Sequence, residues 1–218
     1  VIEEATELGI KAIDNENSPD FLSGNAILVI NIYKLFNGKS VFGVGDKGKK
    51  IDISSLIVDD AHACLATTES QFTINIPNSA KVYKELFDLF TPDLKSQSES
   101  SFLEIESGDP YKSVLLPFWV WKNKISQITK ILHLNKYEDS LKFKWDFLKD
   151  NIKYCQCVIA GNSIEISPHC IPVIKLPSFH FAKRRIFMTA TLSDDSVLLS
   201  HFDISEDYLK EAITPKNA

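Results

Sequence analysis

No phosphate-binding loop of the form G-x-x-x-x-G-K-[ST] occurs anywhere in the 218 residues. P-loop enzymes need the backbone amides and lysine of that loop to cradle the phosphates, so the chain is not a self-contained P-loop ATPase. Arginine is nearly missing too: only two of the 24 basic residues are arginines, the adjacent Arg184 and Arg185. A formal charge of −5 gives no global attraction to nucleic acid, so any such contact must come from a local basic surface. There is no apolar run long enough to span a membrane and no signal peptide, which leaves the cytoplasm as the expected compartment and no membrane partner. The single methionine is Met188 and the chain starts at Val1, so a piece of a longer protein is expected. The four cysteines, Cys64, Cys155, Cys157 and Cys170, lack zinc-finger or zinc-ribbon spacing. Apolar neighbours Val158, Ile159 and Ile171 mark the pair at 155 and 157 as strand cysteines that act as small hydrophobes.

What is present is ordinary for a globular protein: 44% hydrophobic and 24% charged residues, enough for one α/β domain or a domain with an insertion. The most informative stretch is Ser54-Ser-Leu-Ile-Val-Asp-Asp-Ala-His62. Its apolar run predicts a buried strand, in a parallel sheet covered on both faces. Open α/β sheets bind ligands just beyond the carboxyl ends of their strands, where Asp59 and Asp60 fall. Two adjacent carboxylates repel unless a cation or a proton intervenes, and Mg²⁺ suits them.

Along the chain, residues 1–9 predict the end of an amphipathic helix stopped by Gly9. Residues 26–32 predict a buried strand ending at Asn31, which caps that end or faces a ligand. Gly43-Val-Gly45-Asp-Lys-Gly48 fits G-x-G-x-x-G, but a strand-like alternation rather than a helix follows, so it reads as a turn between strands. Residues 78–92 show helical spacing closed by Pro92. Helical runs near residues 116–132 and 140–154 interleave lysines with Trp119, Trp121 and Trp145, read as core ahead of stacking platforms. Residues 154–167 predict a β-hairpin turned at Gly161-Asn162. A short helix over 179–185 would end in Lys183-Arg184-Arg185, and Ser193 would cap a further helix.

Two of these segments carry a resemblance. Val58-Asp-Asp-Ala-His62 resembles motif II, the Walker B element of DEAD/DEAH-box helicases of superfamily two. Ile186-Phe-Met-Thr-Ala-Thr-Leu192 resembles their motif III, and Val29-Ile-Asn31 resembles the strand into motif Ib. The resemblance departs at Asp60, where the family usually carries Glu. It implies a partial RecA-like P-loop NTPase domain, α/β with a parallel sheet and an inserted, mostly helical subdomain similar to that of DinG- and XPD-type helicases. The expected layout is residues 1–71 as the first part of that domain, 72–152 as the helical insertion, and 153–218 as the return with the hairpin and motif III.

The resemblance further implies ATP and Mg²⁺ as cofactors and nucleic acid as partner, DNA ahead of RNA, with the insertion able to contact a protein. Asp59 would hold Mg²⁺ through water, Asp60 would orient or deprotonate the attacking water, and His62 would couple ATP state to the domain interface. Thr189, Ala190 and Thr191 would join motif III to motif II, and Asn31 and Lys34 would face nucleic acid. The full protein would be an ATP-dependent helicase or translocase, and the chain alone would not hydrolyse ATP. Two alternatives stand beside it. One is a hydrolytically inactive, helicase-derived nucleic-acid-binding or scaffold protein. The other, ranked last, is a metal-dependent phosphohydrolase using Asp59, Asp60 and His62 directly.

Overall fold

The computed structural model describes residues 1–45, 50–189, 195–209 and 213. It is a mixed α/β structure with parallel and antiparallel sheets and, among the described residues, twelve α-helices. Helix α1 (Ile2–Glu7) closes as expected at Gly9. The Gly9 N–H donates to the Thr6 carbonyl (3.0 Å) and the Ile10 N–H to the Ala5 carbonyl (2.8 Å), with Gly9 at φ 74°. Strand β1 (Ala12–Ile13), helix α2 (Pro19–Leu22) and strand β2 (Ile27–Leu28) form a small parallel unit. The strand expected over 26–32 thus shrinks to two residues with Ile27 58% exposed, because Asn31 already caps helix α3 (Ile32–Leu35). Of the glycine-rich turn, Gly43 and Gly45 hold positive φ, and residues 46–49 lie outside the described residues.

Strand β3 (Ser55–Val58) runs into helix α4 (Ala61–Phe72). Ala61, Leu65, Thr68 and Phe72 are buried at helical spacing, so one face of α4 seats on the core. Strand β4 (Ile74–Pro77) follows, then the long helix α5 (Lys81–Gln97) and helix α6 (Glu99–Glu106). Pro92 does not close α5 but sits inside it, on the exposed side. Its missing N–H leaves the Asp88 carbonyl without the usual donor, while Phe90 and Leu94 on the opposite face are buried and hold the helix through the break.

Strand β5 (Ser113–Leu115), helices α7 (Phe118–Asn123), α8 (Ile125–Leu134) and α9 (Trp145–Leu148), and strands β6 (Cys155–Ala160) and β7 (Ser163–Pro168) complete the middle of the chain. The expected Gly161-Asn162 hairpin is present, and β4, β7, β6 and β5 form one antiparallel sheet in that order. This sheet draws strands from both sides of residue 152, so the middle of the chain is a helix-covered sheet rather than helices alone. Gly161 is required by packing, since a Cβ there would lie 2.5 Å from the Asp109 carbonyl oxygen. Trp121 and Trp145 are core, the Trp121 indole N–H donating to the Ile152 carbonyl at 2.9 Å, whereas Trp119 is 67% exposed.

After helix α10 (Pro177–His180) comes strand β8 (Arg184–Phe187), then helices α11 (Asp195–Phe202) and α12 (Glu206–Leu209). The helix expected over 179–185 therefore stops at His180, and the two arginines open β8 instead. Arg185 still serves a helix C-terminus, that of α11: its guanidinium donates to the Phe202 carbonyl (2.7 Å) and the Asp203 carbonyl (2.9 Å) and lies over Phe179. Burial lowers the Arg185 pKa from its ordinary value, against the Asp203 charge. Phe36, Phe179, Phe202 and Phe187 contact in sequence, edge-on, tilted and stacked, with centroids 4.9, 5.6 and 5.4 Å apart, and pin β8 to the end of α3 and to α11. Among the described residues no helix is long and apolar enough to cross a membrane.

Candidate functional site

The two motif-bearing strands pair directly. β3 and β8 are parallel, with Ser55 opposite Arg184 and Val58 opposite Phe187, so both chains leave the sheet at the same end. The pairing continues past the strands: the Met188 N–H donates to the Val58 carbonyl (2.9 Å), and the Ala61 N–H to the Met188 carbonyl (2.9 Å). Coverage on both faces, expected for β3, is not found. Val58 is buried, but Ile57 on the other face is 61% exposed, and among the described residues β3 pairs with β8 alone.

Between strand and helix the chain turns at Asp60, which takes the left-handed conformation (φ 48°, ψ 63°). Few side chains accept that region, and Asp is among them, at a strain of order 1–3 kcal/mol. The turn lets Asp60 act as the N-cap of α4, one carboxylate oxygen accepting from the Ala63 N–H at 3.4 Å. Asp59 accepts from the Asp60 N–H at 3.0 Å, and the Cys64 thiol donates to the Asp59 carbonyl at 3.3 Å. Burial, and then the charges of Asp60 and Asp59, push the Cys64 thiol pKa up, so it stays protonated at neutral pH.

His62 is the second residue of α4, half-buried, with Nδ1 2.8 Å from the Thr189 hydroxyl. This links residues 127 positions apart in the chain. Ala190 and Thr191, the other expected motif III residues, lie outside the described residues, as does the expected Ser193 cap. The Met188 carbonyl, which ties β8 to the first turn of α4, had no signal in the sequence because any residue supplies one.

Asp59 and Asp60 are exposed and adjacent. Hydrated Mg²⁺ keeps most of its waters and takes one or two carboxylates, so this pair fits it in donor type and access. Among the described residues no three His, Cys, Asp or Glu side chains gather as a metal cage. Cys155 and Cys157 are buried along β6, with burial raising the Cys155 thiol to about 12.

Asn31 and Lys34 are engaged away from this corner. The Asn31 side chain accepts from the Lys34 N–H (3.1 Å) as the α3 cap, and the Lys34 ammonium donates to Glu16 (2.8 Å). That hydrogen bond lowers the Glu16 pKa below its ordinary range. No model of a known protein family matches this chain, and no curated protein matches it.

Proposed function

We propose that the chain is part of the motor of an ATP-dependent nucleic-acid helicase or translocase: a portion of its first RecA-like domain, interrupted by an insertion between motifs II and III. The observation that supports this most is the parallel β3–β8 pair, which sets Asp59-Asp60-Ala61-His62 and Thr189 side by side at one sheet end, joined by the 2.8 Å His62–Thr189 hydrogen bond. A ligand at that end meets two exposed carboxylates and a half-buried imidazole fixed by a hydroxyl.

In this proposal Asp59 would hold Mg²⁺ through water, and Mg²⁺ would supply charge neutralisation for phosphoryl transfer from ATP. Asp60 orients the attacking water. His62 reports changes at the acid pair to β8 through Thr189, with Thr191 as the second motif III hydroxyl. The partner is nucleic acid, DNA ahead of RNA. The chain supplies no phosphate-cradling loop, so it is silent as an ATPase by itself.

One observation favours a second reading, a hydrolytically inactive scaffold derived from a helicase. The Asp60 carboxylate is one methylene shorter than the usual Glu and already accepts from the Ala63 N–H. A misplacement of about 1 Å costs on the order of a hundredfold in rate. The deciding experiment is ATP turnover by the full-length gene product, with and without single-stranded DNA, beside Asp60→Asn. DNA-stimulated turnover lost in the variant supports the motor. No turnover with DNA binding intact leaves the scaffold.

A further inference from the structure

A second site lies at the far end of α4. The loop after α3 (Asn37, Gly38, Lys39), the end of α4 (Gln71) and the segment before α9 (Asp139, Phe143, Lys144) enclose a pocket of about 180 Å³. The α4 helix is 12 residues long, about 18 Å at 1.5 Å per residue, so this pocket is well removed from Asp59 and Asp60.

Close packing and fixed hydrogen bonds build it. A Cβ on Gly38 would fall 2.4 Å from the Phe143 carbonyl oxygen, so only glycine lets the loop approach. The Asn37 side chain accepts from the Lys39 N–H at 2.8 Å and sets the direction of that lysine. The Lys144 ammonium donates to the Ser70 carbonyl (3.0 Å) and to the Thr73 carbonyl, clamping the α4 end. Burial lowers the Lys144 pKa, with the Glu165 charge acting against it.

The charge is unusual for an acidic chain. Lys39 lies 4.3 Å and Lys142 5.5 Å from the Phe143 ring centroid, and Lys144 lines the same pocket. Among the described residues neither Lys39 nor Lys142 forms an ion pair, while Asp139 also lines the pocket and the Glu165 charge acts on Lys144. Two cations held against one ring, Lys39 and Lys142, repel one another, and an anion bound by both relieves that.

We infer that the rim of this pocket binds a backbone phosphate of single-stranded nucleic acid, held by Lys39, which lines the pocket, and by Lys142, beside the same Phe143 ring. The inference rests on the nucleic-acid reading above and adds a contact site to it. Gly38-Lys39-Ser40 ends like a P-loop signature, but residue 33 is Tyr and no helix follows among the described residues before β3, so this is a lysine contact and not a nucleotide cradle. It would place strand contacts where the β3–β8 half meets the middle of the chain, with α4 running between them and the acid pair.

The test measures binding of oligo-deoxythymidine to the 218-residue chain by fluorescence anisotropy across salt concentrations. It compares the parent with Lys39→Gln/Lys142→Gln and with Lys81→Gln/Lys149→Gln, a control that removes the same charge elsewhere. Each lost phosphate contact lowers the salt slope by about 0.7, so the first variant should lose about 1.4 and bind roughly ten- to thirtyfold more weakly near 0.1 M salt. The control should change far less. Equal losses in both variants, or an unchanged slope in the first, overturn the site while leaving the nucleic-acid reading intact. A parent that ignores the oligonucleotide but binds inorganic phosphate, detected calorimetrically and lost in the first variant, overturns the site as a nucleic-acid contact: the pocket is then a free-anion site.

Discussion

Thr189→Val keeps the shape of the side chain and removes the hydroxyl that His62 contacts at 2.8 Å. A half-buried hydrogen bond of this kind contributes about 1 kcal/mol net, within a range of roughly 0.5–1.5. The single variant alone cannot isolate that contribution, because Thr189 makes further interactions. A double-mutant cycle with His62→Ala cancels what each side chain does separately and leaves the pairwise coupling, expected at about 1 kcal/mol. In a domain of this size that corresponds to a shift in melting temperature of about 2–4 °C. Urea unfolding of the parent, both single variants and the double variant gives the coupling directly. A coupling below about 0.3 kcal/mol would mean that the two motifs are neighbours without being linked, and the transmission role of His62 would fall.

Three further outcomes are expected. Gly161→Ala meets backbone at 2.5 Å and should destabilise by more than about 2 kcal/mol, whereas Gly9→Ala, at φ 74° with no atom within 4 Å, should cost only about 1 kcal/mol; equal losses in urea unfolding would contradict the packing at the hairpin. With a thiol reagent at pH 8, exposed Cys170 should react at once, Cys64 more slowly, and buried Cys155 and Cys157 only on unfolding, so early labelling of Cys157 would refute its place in β6. Because the Lys34 hydrogen bond holds the folded Glu16 pKa below 4.5, the stability from this pair is complete above that pH and is lost as pH falls through the folded value. Lys34→Met should return the Glu16 titration toward 4.5, read by carboxyl carbon NMR, and an unmoved titration would show that the pair does not form.

Local chemistry made some features legible. The Gly9 helix stop, the Gly161-Asn162 turn and the two apolar runs ending at Asp59 and Met188 each declare themselves within a few residues. The antiparallel sheet in the middle of the chain did not, because β4 and β5 are four and three residues long, too brief to show a period. Their identity depends on partners far along the chain, such as Ile166 opposite Ile74. Pro92 misled for a related reason: propensity closes a helix at proline, but buried Phe90 and Leu94 on the other face outweigh one lost hydrogen bond.

The candidate site divides along the same line. Its acids were visible as a sequence doublet, but the left-handed turn at Asp60 is a property of the junction between strand and helix and leaves no pattern in composition. That turn commits the second acid to capping α4, so the residue proposed to orient the attacking water is also the one that starts the helix carrying His62. Asp60→Ala therefore perturbs the proposed water-orienting role and the helix start together. Asp60→Asn, which keeps the cap and removes the charge, separates the two where Asp60→Ala cannot.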